Sequence, residues 1–463
     1  MAPLLLLLLL LVRTISAALV VQCGNVLDPG TLSTVLRPAI HVAQSFLHGN
    51  CSHNQALDDN VLRIATWPTY ANISSEMTVT LHLIGYGYGL PLCASDPAQR
   101  AEWYNRLARL TGYEIVMNRP VPFLVPRDYL GFSVAGAGLT LSPPEGRLLS
   151  QPQASTAAYG HFRSWETLQL AVPAAPGLLS SNLSLAGCPA PYLARTQTSR
   201  HRIIAAKGLT VVSDVDDTLR QSEIWDFRRG LQRTFLYPFT PWASMPKAFA
   251  QWHARIPDTH FHYTSDVPET SHEYYVNGLT QWYPPGTYDF RAIDVSTYAE
   301  LMNSRYWNVR RLMETFPQRR FILLGDTSTA TNMEAYGRLA KEYPDQVQCI
   351  ILRNVDATVP ANWGRPNLSL LPADKLILFN VSTELYRKRM LNVLEDIASG
   401  ELSGCGGLQT GTAGMDVGGW WSGIQSYATA AWRLNMCWML CEGRPDKQRC
   451  AFDRTERKFK VEK

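Results

Sequence analysis

The sequence predicts an α/β fold with a parallel sheet, preceded by a mainly β domain and followed by a shorter extension. From Ile203 onward, short apolar segments alternate with amphipathic segments of helix length, which is typical of a parallel sheet with crossover helices. Residues 19–190 instead contain short alternating runs separated by many Gly, Pro and Ser. After about Gly400 the chain becomes rich in Gly, Trp and Cys, which predicts a Cys/Trp-rich C-terminal appendage over residues 401–463.

The N-terminus has the pattern of a signal peptide over residues 1–18. An apolar run at residues 4–12 is followed by Ser16, Ala17 and Ala18, the small residues of a cleavage region. No basic residue precedes the run, and Arg13 follows it. The run is too short to span a bilayer. A retained transmembrane anchor is the alternative interpretation of this segment. Five N-x-S/T sequons favour the secretory route, at Asn50, Asn72, Asn182, Asn367 and Asn380.

Within the mainly β domain, residues 77–85 alternate as a strand does. A helical insertion is predicted at residues 97–110, where apolar positions recur at helical spacing. Residues 142–158 are rich in Ser, Pro, Gln and Ala, which predicts a boundary between an ordered segment and a loosely structured one.

The α/β part contains five predicted strands and five predicted helices. The strands are expected at residues 209–212, 260–264, 321–325, 349–352 and 376–379. The helices are expected near residues 243–255, 268–283, 298–316, 331–343 and 383–398. In the third helix an apolar stripe predicts a face packed on the core, formed by Met302, Tyr306, Val309, Met313 and Phe316.

The cysteines predict disulfides. Eight of nine lie outside the central region, at Cys23, Cys51, Cys93, Cys188, Cys405, Cys437, Cys441 and Cys450. A zinc site at Cys437, Cys441 and Cys450 is the alternative, although no His follows Cys405. The ninth, Cys349, lies in a run typical of a buried central strand, where a second sulfur is hard to bring within bridging distance. We therefore expect Cys349 to be the free thiol.

The charge pattern argues against nucleic acid as a partner. The formal net charge is +4, from 43 basic and 39 acidic residues, and no long basic run occurs. The extension combines Trp420, Trp421, Trp432 and Trp438 with nearby Arg and Lys. These Trp residues are either core or a peripheral contact with a lipid surface.

The central chemical motif is Asp214-Val215-Asp216-Asp217-Thr218, directly after the first strand of the α/β part. Ligands of such sheets bind outside the carboxyl ends of the strands, so Asp214 can act there as a nucleophile on phosphorus. Asp216, two residues later, can protonate the leaving oxygen and then activate water. An ordinary acidic turn after a strand is the alternative.

Two later strands also end in polar side chains. Ser265 follows the second strand and could bind a phosphoryl oxygen, or could cap a helix before Pro268. Asp326 follows the third strand and could complete an oxygen-ligand site for Mg2+ opposite Asp214, or could belong to a common Gly-Asp turn.

In this combination the chain resembles the haloacid dehalogenase superfamily, and more narrowly the fungal phosphatidate phosphatases named after actin patch protein, whose catalytic domain carries DxDxT. The resemblance covers roughly residues 199–385 and is carried by residues 213–222, 241–246, 261–265, 284–286, 316–326 and 351–353. It implies a haloacid dehalogenase-like (Rossmann-like) doubly wound parallel sheet, with a phosphatase catalytic domain at residues 199–400.

The resemblance also implies the site residues. Asp214 is then the nucleophile, Asp216 the acid and base, and Ser265 the hydroxyl that binds phosphate. Mg2+ is bound by Asp214, Asp326 and the carbonyl of Asp216. Thr218 helps to order the loop.

The sequence departs from the family at two places. Arg305 stands where the family has a phosphate-neutralising Lys, and it keeps the charge on a planar fork. A solvated basic residue beside the apolar helix stripe is the alternative for Arg305. The family also usually has a second acidic residue a few positions after Gly-Asp, where Thr331 and Asn332 stand. Weaker binding of the metal is the expected consequence.

The expected function is a secreted or secretory-pathway, Mg2+-dependent phosphatidate phosphatase that releases diacylglycerol and phosphate through an aspartyl-phosphate. Two alternatives stay open, because the motifs handle only the phosphoryl group. One is a phosphatase of a soluble phosphomonoester. The other is a catalytically impaired protein on the same fold that binds a lipid or a partner.

Overall fold

The computed structural model describes residues 20–23, 57–91, 98, 132–150, 152, 154–157, 160–224, 227–235, 237–292, 298–355, 368–405, 450–453 and 458–461. Strands in these ranges form an eleven-stranded sheet, a six-stranded sheet and a two-stranded pair. The pair consists of β18 (Cys450–Asp453) and β19 (Lys458–Val461).

The eleven-stranded sheet is mostly antiparallel and includes the N-terminal strands. Its strands are β1 (Val20–Gln22), β2 (Leu57–Thr66), β3 (Thr69–Ser75), β4 (Thr78–Pro91), β5 (Phe132–Ala135), β6 (Gly138–Ser142), β7 (Arg147–Leu148), β8 (His161–Gln169), β9 (Gly177–Ala186), β10 (Leu193–Ala194) and β11 (Gln197–Ile204). Alternate side chains of these strands form an apolar core that includes Leu81, Leu83 and Leu183. The mainly β prediction is therefore confirmed for the described residues of 19–190.

The six-stranded sheet is parallel throughout. Its strands are β12 (Gly208–Asp214), β13 (His260–Pro268), β14 (Gly286–Arg291), β15 (Arg319–Asp326), β16 (Val347–Arg353) and β17 (Leu376–Phe379). They lie in the order β14-β13-β12-β15-β16-β17, so the direction of strand addition reverses between β12 and β15. In an open α/β sheet, such a reversal opens a crevice at the carboxyl ends of the two central strands. Asp214 ends β12 and Asp326 ends β15.

Helices cover both faces of the parallel sheet. The helices described in this part of the chain are α1 (Phe227–Phe235), α2 (Met245–Arg255), α3 (His272–Trp282), α4 (Tyr298–Thr315), α5 (Ala330–Glu342) and α6 (Lys388–Ser399). On one face, Val211 packs in a cluster with side chains of α2, α3 and α6. On the other, Val212 packs in a cluster with α4 and α5. Tyr306, Val309, Met313 and Phe316 of the predicted apolar stripe are buried in this second cluster, which confirms the prediction for these four residues.

The two large sheets contact each other at β14. The Tyr288 N–H donates to the carbonyl of Pro68 at 3.0 Å, and the Trp67 indole N–H donates to the carbonyl of Tyr288 at 3.1 Å. At the end of β13, His161 Nδ1 lies 2.8 Å from a Glu269 carboxylate oxygen. The N-terminal sheet therefore covers the outer edge of the parallel sheet.

All five strands predicted for the α/β part are present, but β14 and α1 were not predicted. The sequence of β14 places Thr287, Asp289 and Arg291 at alternate positions, which suggests a half-exposed strand, yet all six residues are buried. Polar neighbours on β13 explain this difference. Thr287 Oγ1 lies 2.8 Å from both His260 Nε2 and His262 Nδ1, and His262 Nε2 lies 3.4 Å from Asp289.

The prediction that Cys349 is a free thiol is wrong. Cys349 is fully buried in β16, as expected for its strand, but it forms a disulfide with Cys405, with 5.6 Å between the Cα atoms. The chain returns to β16 after α6, which ends at the left-handed Gly400. A second disulfide joins Cys23 to Cys188, as predicted for the outer cysteines.

Several predictions fall on residues outside the described ranges: the signal peptide at 1–18, nearly all of the helical insertion at 97–110, and the Trp residues of the extension. The side chains of Cys51, Cys93, Cys437, Cys441 and Cys450 are also outside the description. None of the helices in the described part of the chain combines the length and apolar character that a bilayer crossing requires.

Candidate active site

Asp214 lies at the centre of the crevice and is buried. One of its oxygens, Oδ1, accepts a hydrogen bond from the Val215 N–H at 2.9 Å. The other, Oδ2, accepts from the side-chain amide of Asn332, also at 2.9 Å. Since Asp214 is the last residue of β12, the strand fixes its backbone while the side chain points into the crevice.

Arg305 reaches the same carboxylate from α4. Its Nη1 lies 2.9 Å from Asp214 Oδ1, and its Nη2 donates to Asp266 Oδ2 at 2.9 Å. The side chain of Arg305 is 1% exposed, so it is not a solvated surface residue. Burial works against the charge of Arg305, but the neighbouring Asp214 and Asp266 raise its pKa well above the usual range. Arg305 is therefore a buried, permanent cation beside the first Asp of the motif.

Asp326 is held by the loop that leads into α5. Its Oδ1 accepts from the N–H groups of Ser328 and Thr329, at 2.7 and 3.0 Å, and from the Ser328 hydroxyl. Its Oδ2 accepts from the Asn332 amide at 3.0 Å. One amide therefore bridges Asp214 and Asp326, which brings the ends of β12 and β15 together.

The amide of Asn332 has an unusual environment. Asn332 is fully buried, and its Oδ1 has no hydrogen-bond partner among the described residues. Space around it is limited, because a Cβ added at Gly325 would lie 2.9 Å from Asn332 Nδ2. Gly325 thus permits the close approach of Asn332 to the two carboxylates.

Asp216 is bound by three side chains. Its Oδ1 accepts the Tyr275 hydroxyl at 2.8 Å and lies 3.0 Å from Arg220 Nε. Its Oδ2 accepts the Ser265 hydroxyl at 2.7 Å. The guanidinium of Arg220 lies 4.8 Å from the centre of the Tyr275 ring and 5.1 Å from that of Tyr274. Asp216 is therefore fixed in one orientation beside Ser265.

The loop after Asp216 is ordered by Asp217. Asp217 has a positive φ of 53°, and its carboxylate accepts from the N–H groups of Ser222, Glu223 and Ile224. Burial, together with the charge of Asp326, raises the pKa of Asp217 to about 6. Thr218 is fully buried, but its hydroxyl has no hydrogen-bond partner within the described chain.

The site concentrates negative charge. Burial raises the pKa of Asp214 well above its usual range, and Arg305 opposes this shift. The carboxylates of Asp326, Asp216 and Asp266 raise it further. Like charges so close together favour either protonation or a bound cation.

Comparison with known proteins identifies the region that holds this site. Residues 209–354 match the family described as "Phosphatidate phosphatase APP1, catalytic domain". This part of the chain is therefore similar to an APP1-type catalytic domain. Phosphatidate phosphatase APP1 of Saccharomyces cerevisiae (strain ATCC 204508 / S288c) is 24% identical over 165 residues, which is 34% of this chain and 28% of the yeast protein. The chain thus matches little more than a quarter of its yeast relative. The two matches confirm the resemblance to the phosphatidate phosphatases named after actin patch protein.

Similarity to solved structures is slight. Chitinase ChiW from Paenibacillus sp. str. FPU-7 aligns over 68% of this chain and 43% of its own, with 7% identity and a TM-score of 0.19. A sialyltransferase from Photobacterium damsela aligns over 64% of this chain and 46% of its own, with 7% identity and a TM-score of 0.17. Scores this low carry no argument about fold or function.

Within the matched region, the structure brings five of the six suggested site residues into two neighbouring contact groups. Asp214, Asp326 and Arg305 form one contact group, and Asp216 and Ser265 form a second beside it. Thr218 lies in the connecting loop.

Sequence reasoning missed Asp266, Arg220 and Tyr275. Asp266 directly follows Ser265, and this proximity was the only available signal. Arg220 lies four residues after Asp216, but its contact with the carboxylate depends on the turn of the loop. Tyr275 comes from a helix, and only the tertiary fold brings its hydroxyl to Asp216.

Proposed function

We propose that the chain is a Mg2+-dependent phosphatidate phosphatase with a haloacid dehalogenase-like catalytic domain. One observation carries the proposal: the carboxylates of Asp214 and Asp326, at the ends of the two central strands, converge on a single amide beside the buried cation of Arg305. This arrangement suits transfer of an anionic phosphoryl group, because it combines a nucleophile, a cation and oxygen ligands in one crevice.

In the first half-reaction, an oxygen of Asp214 attacks phosphorus and forms an aspartyl-phosphate. The bond between phosphorus and the lipid oxygen breaks, and Asp216 in its protonated form transfers a proton to that oxygen, so that diacylglycerol leaves as an alcohol. Arg305 balances the charge of the phosphoryl oxygens. Ser265, which now donates to Asp216, would turn its hydroxyl towards a phosphoryl oxygen.

In the second half-reaction, Asp216 accepts a proton from a water molecule that attacks phosphorus. The bond between phosphorus and Asp214 breaks, and inorganic phosphate is released with the carboxylate restored. Arg220 and Tyr275 hold Asp216 in place through both steps.

The residues fit a hard divalent cation. Asp214 and Asp326 supply carboxylate oxygens, and the unpartnered Oδ1 of Asn332 would add an amide oxygen if the terminal amide turned over. Asn332 would thus place a neutral oxygen beside the two carboxylates. When bound, Mg2+ would neutralise charge on the phosphoryl oxygens.

The same Asn332 favours a second candidate function. Its amide satisfies both carboxylates without a cation, so the site is also compatible with a catalytically impaired protein that binds a lipid or a partner. A phosphatase of a soluble phosphomonoester is the third possibility, since the site contacts only the phosphoryl group. The name of the yeast relative supports phosphatidate over these alternatives.

We further propose that the protein passes through the secretory pathway. Asn182 and Asn380 lie exposed within sequons, as sugar attachment requires, and the chain forms two disulfides. We also propose a peripheral contact between the protein and a lipid surface.

Release of phosphate from phosphatidate in detergent micelles tests the function. Full-length protein from a secretory host should release phosphate with Mg2+ and not with EDTA, and Asp214→Asn should be inactive. Equal efficiency on p-nitrophenyl phosphate would favour the soluble substrate. Absence of turnover on both substrates, with the fold intact, would favour the binding protein.

A further inference from the structure

Asp266 is an acidic residue placed where a phosphoryl anion is expected to bind. It directly follows Ser265, and the register between β13 and β14 shifts between Ser265 and Pro268. Such irregularities redirect a side chain. Here the Asp266 carboxylate reaches Arg305 on α4 and Thr331 in the first turn of α5.

The contacts of Asp266 are short and directional. Arg305 Nη2 donates to Asp266 Oδ2 at 2.9 Å, and the Thr331 hydroxyl donates to the same oxygen at 2.7 Å. Burial disfavours the charged carboxyl, yet Arg305 and Thr331 hold the pKa of Asp266 below its usual value. Asp266 is therefore a fixed anion that fastens one arm of the Arg305 fork.

The rest of the Arg305 guanidinium faces Asp214 and the hydroxyl of Tyr336. Its Nε and Nη1 have no aligned hydrogen-bond acceptor among the described residues, although Nη1 lies 2.9 Å from Asp214 Oδ1. A guanidinium has five N–H donors in a rigid plane, so fixing one arm fixes the direction of the rest. These donors lie beside the proposed nucleophile, where phosphoryl oxygens would be.

We propose that Asp266 is a positioning residue, which holds Arg305 so that its donors beside Asp214 receive the phosphoryl oxygens of the substrate and of the phosphate product. The inference rests on the proposed function and extends it to a residue that the sequence motif did not include. A single-point cation such as Lys could not contact Asp214 and Asp266 through two separate arms. Arg305 and Asp266 thus form a functional pair in this chain.

In the opposite role, Asp266 competes with phosphate for Arg305. A carboxylate that occupies Arg305 could reduce the affinity of the site for anions, and its removal would then tighten phosphate binding. The two roles predict changes of opposite sign, so one measurement separates them.

The test is calorimetric binding of inorganic phosphate to the full-length protein at a fixed Mg2+ concentration. Asp266→Ala should raise the dissociation constant about tenfold, because one charge-assisted hydrogen bond to Arg305 is lost. Asp266→Asn, which keeps an acceptor, should raise the dissociation constant less, and Thr331→Val should raise it about two- to threefold.

Glu395→Gln is the matched control, since it removes a carboxylate that pairs with Arg255 on the exposed side of α6. This variant should bind phosphate with the dissociation constant of the wild type.

A double-mutant cycle excludes a merely structural role. In an Arg305→Lys background, Asp266→Ala should have a much smaller effect on phosphate binding than in the wild type. Unchanged or tighter binding in Asp266→Ala, with the circular dichroism spectrum of the wild type, would overturn the inference, as would a wild type that does not bind phosphate. Phosphate binding without turnover would instead contradict the proposed activity and leave this inference standing on its own test.

Discussion

The side-chain amide of Asn332 lies 2.9 Å from the carboxylate of Asp214, the residue with which the proposed reaction begins. The same amide also holds Asp326 at 3.0 Å. A neutral group therefore stands where the resemblance to the phosphatase family places a second acidic residue, and the proposed cation site has one negative charge fewer.

Asn332→Asp should increase the affinity of the site for Mg2+. The change adds a carboxylate to Asp214 and Asp326, so the cation gains an anionic ligand. We expect about tenfold tighter binding, measured as the shift in unfolding temperature against Mg2+ concentration, and lower stability than the wild type in EDTA. Gln281→Glu, the same amide-to-acid change on the exposed side of α3, is the control. Equal or weaker Mg2+ binding in Asn332→Asp would contradict the placement of the cation.

Asp214→Asn should reduce turnover to background and keep the fold. A neutral amide cannot form the acyl-phosphate, whereas the side chain has nearly the same shape and removes a buried like charge from the group with Asp326. Phosphate release and the thermal unfolding curve should be measured on the same preparation. Near wild-type turnover would eliminate the mechanism.

Gly325→Ala should disturb the amide bridge. The added Cβ would lie 2.9 Å from Asn332 Nδ2, closer than real Cβ contacts, and 3.1 Å from Tyr336 Cε2, which is a tight contact. We expect a loss of stability of about 1–3 kcal/mol in chemical denaturation, together with weaker Mg2+ binding. Gly177→Ala is the control, because the nearest atom there is 4.0 Å away. Equal effects of the two substitutions would show that Gly325 does not support Asn332.

The stability of the N-terminal sheet should depend on pH through His201. His201 is buried between the hydroxyls of Thr69 and Ser181, at 2.9 and 2.8 Å, and burial lowers its pKa to about 4. Between the unfolded pKa of about 6.5 and pH 4 the unfolded chain binds the extra proton, so the free energy of unfolding falls as pH falls across this window. The full contribution is about 3 kcal/mol. His201→Gln should flatten this part of the stability curve, whereas His253→Gln, at an exposed position on α2, should leave it unchanged.

The Cys349–Cys405 disulfide should be detectable directly and should stabilise the catalytic domain. Peptide mapping of the denatured, unreduced protein should recover the two cysteines in one linked pair. Cys405→Ala should lower the stability by about 4 kcal/mol, because the link closes a loop of 56 residues in the unfolded chain. Recovery of Cys349 with an alkylated thiol would contradict the pairing.

The sequence predicted the candidate site residues that directly follow a strand. Asp214, Ser265 and Asp326 follow buried apolar runs, and a parallel sheet brings such positions to one edge. It was less informative where contacts depend on tertiary packing. Tyr275 reaches Asp216 from a helix, and no local pattern marks that contact.

Cys349 also has a contact that depends on tertiary packing and could not be predicted from the sequence. Its burial in a strand was predicted correctly, but burial does not determine which distant segment packs against the strand. The return of the chain after α6 placed Cys405 there. The Asp266 contact with Arg305 likewise depends on the irregularity at the end of β13, which the sequence does not show.

The contact of Tyr288 with Trp67 and Pro68 has a consequence for how the protein can be divided. The family match begins at residue 209 and ends at 354, so a fragment with these limits loses the N-terminal cover of β14 and also lacks β17 beyond β16. Both lateral strands of the remaining sheet would then present unpaired backbone groups to other molecules, a known route to self-association. The region that matches the family is therefore smaller than the region that we expect a stable domain to require.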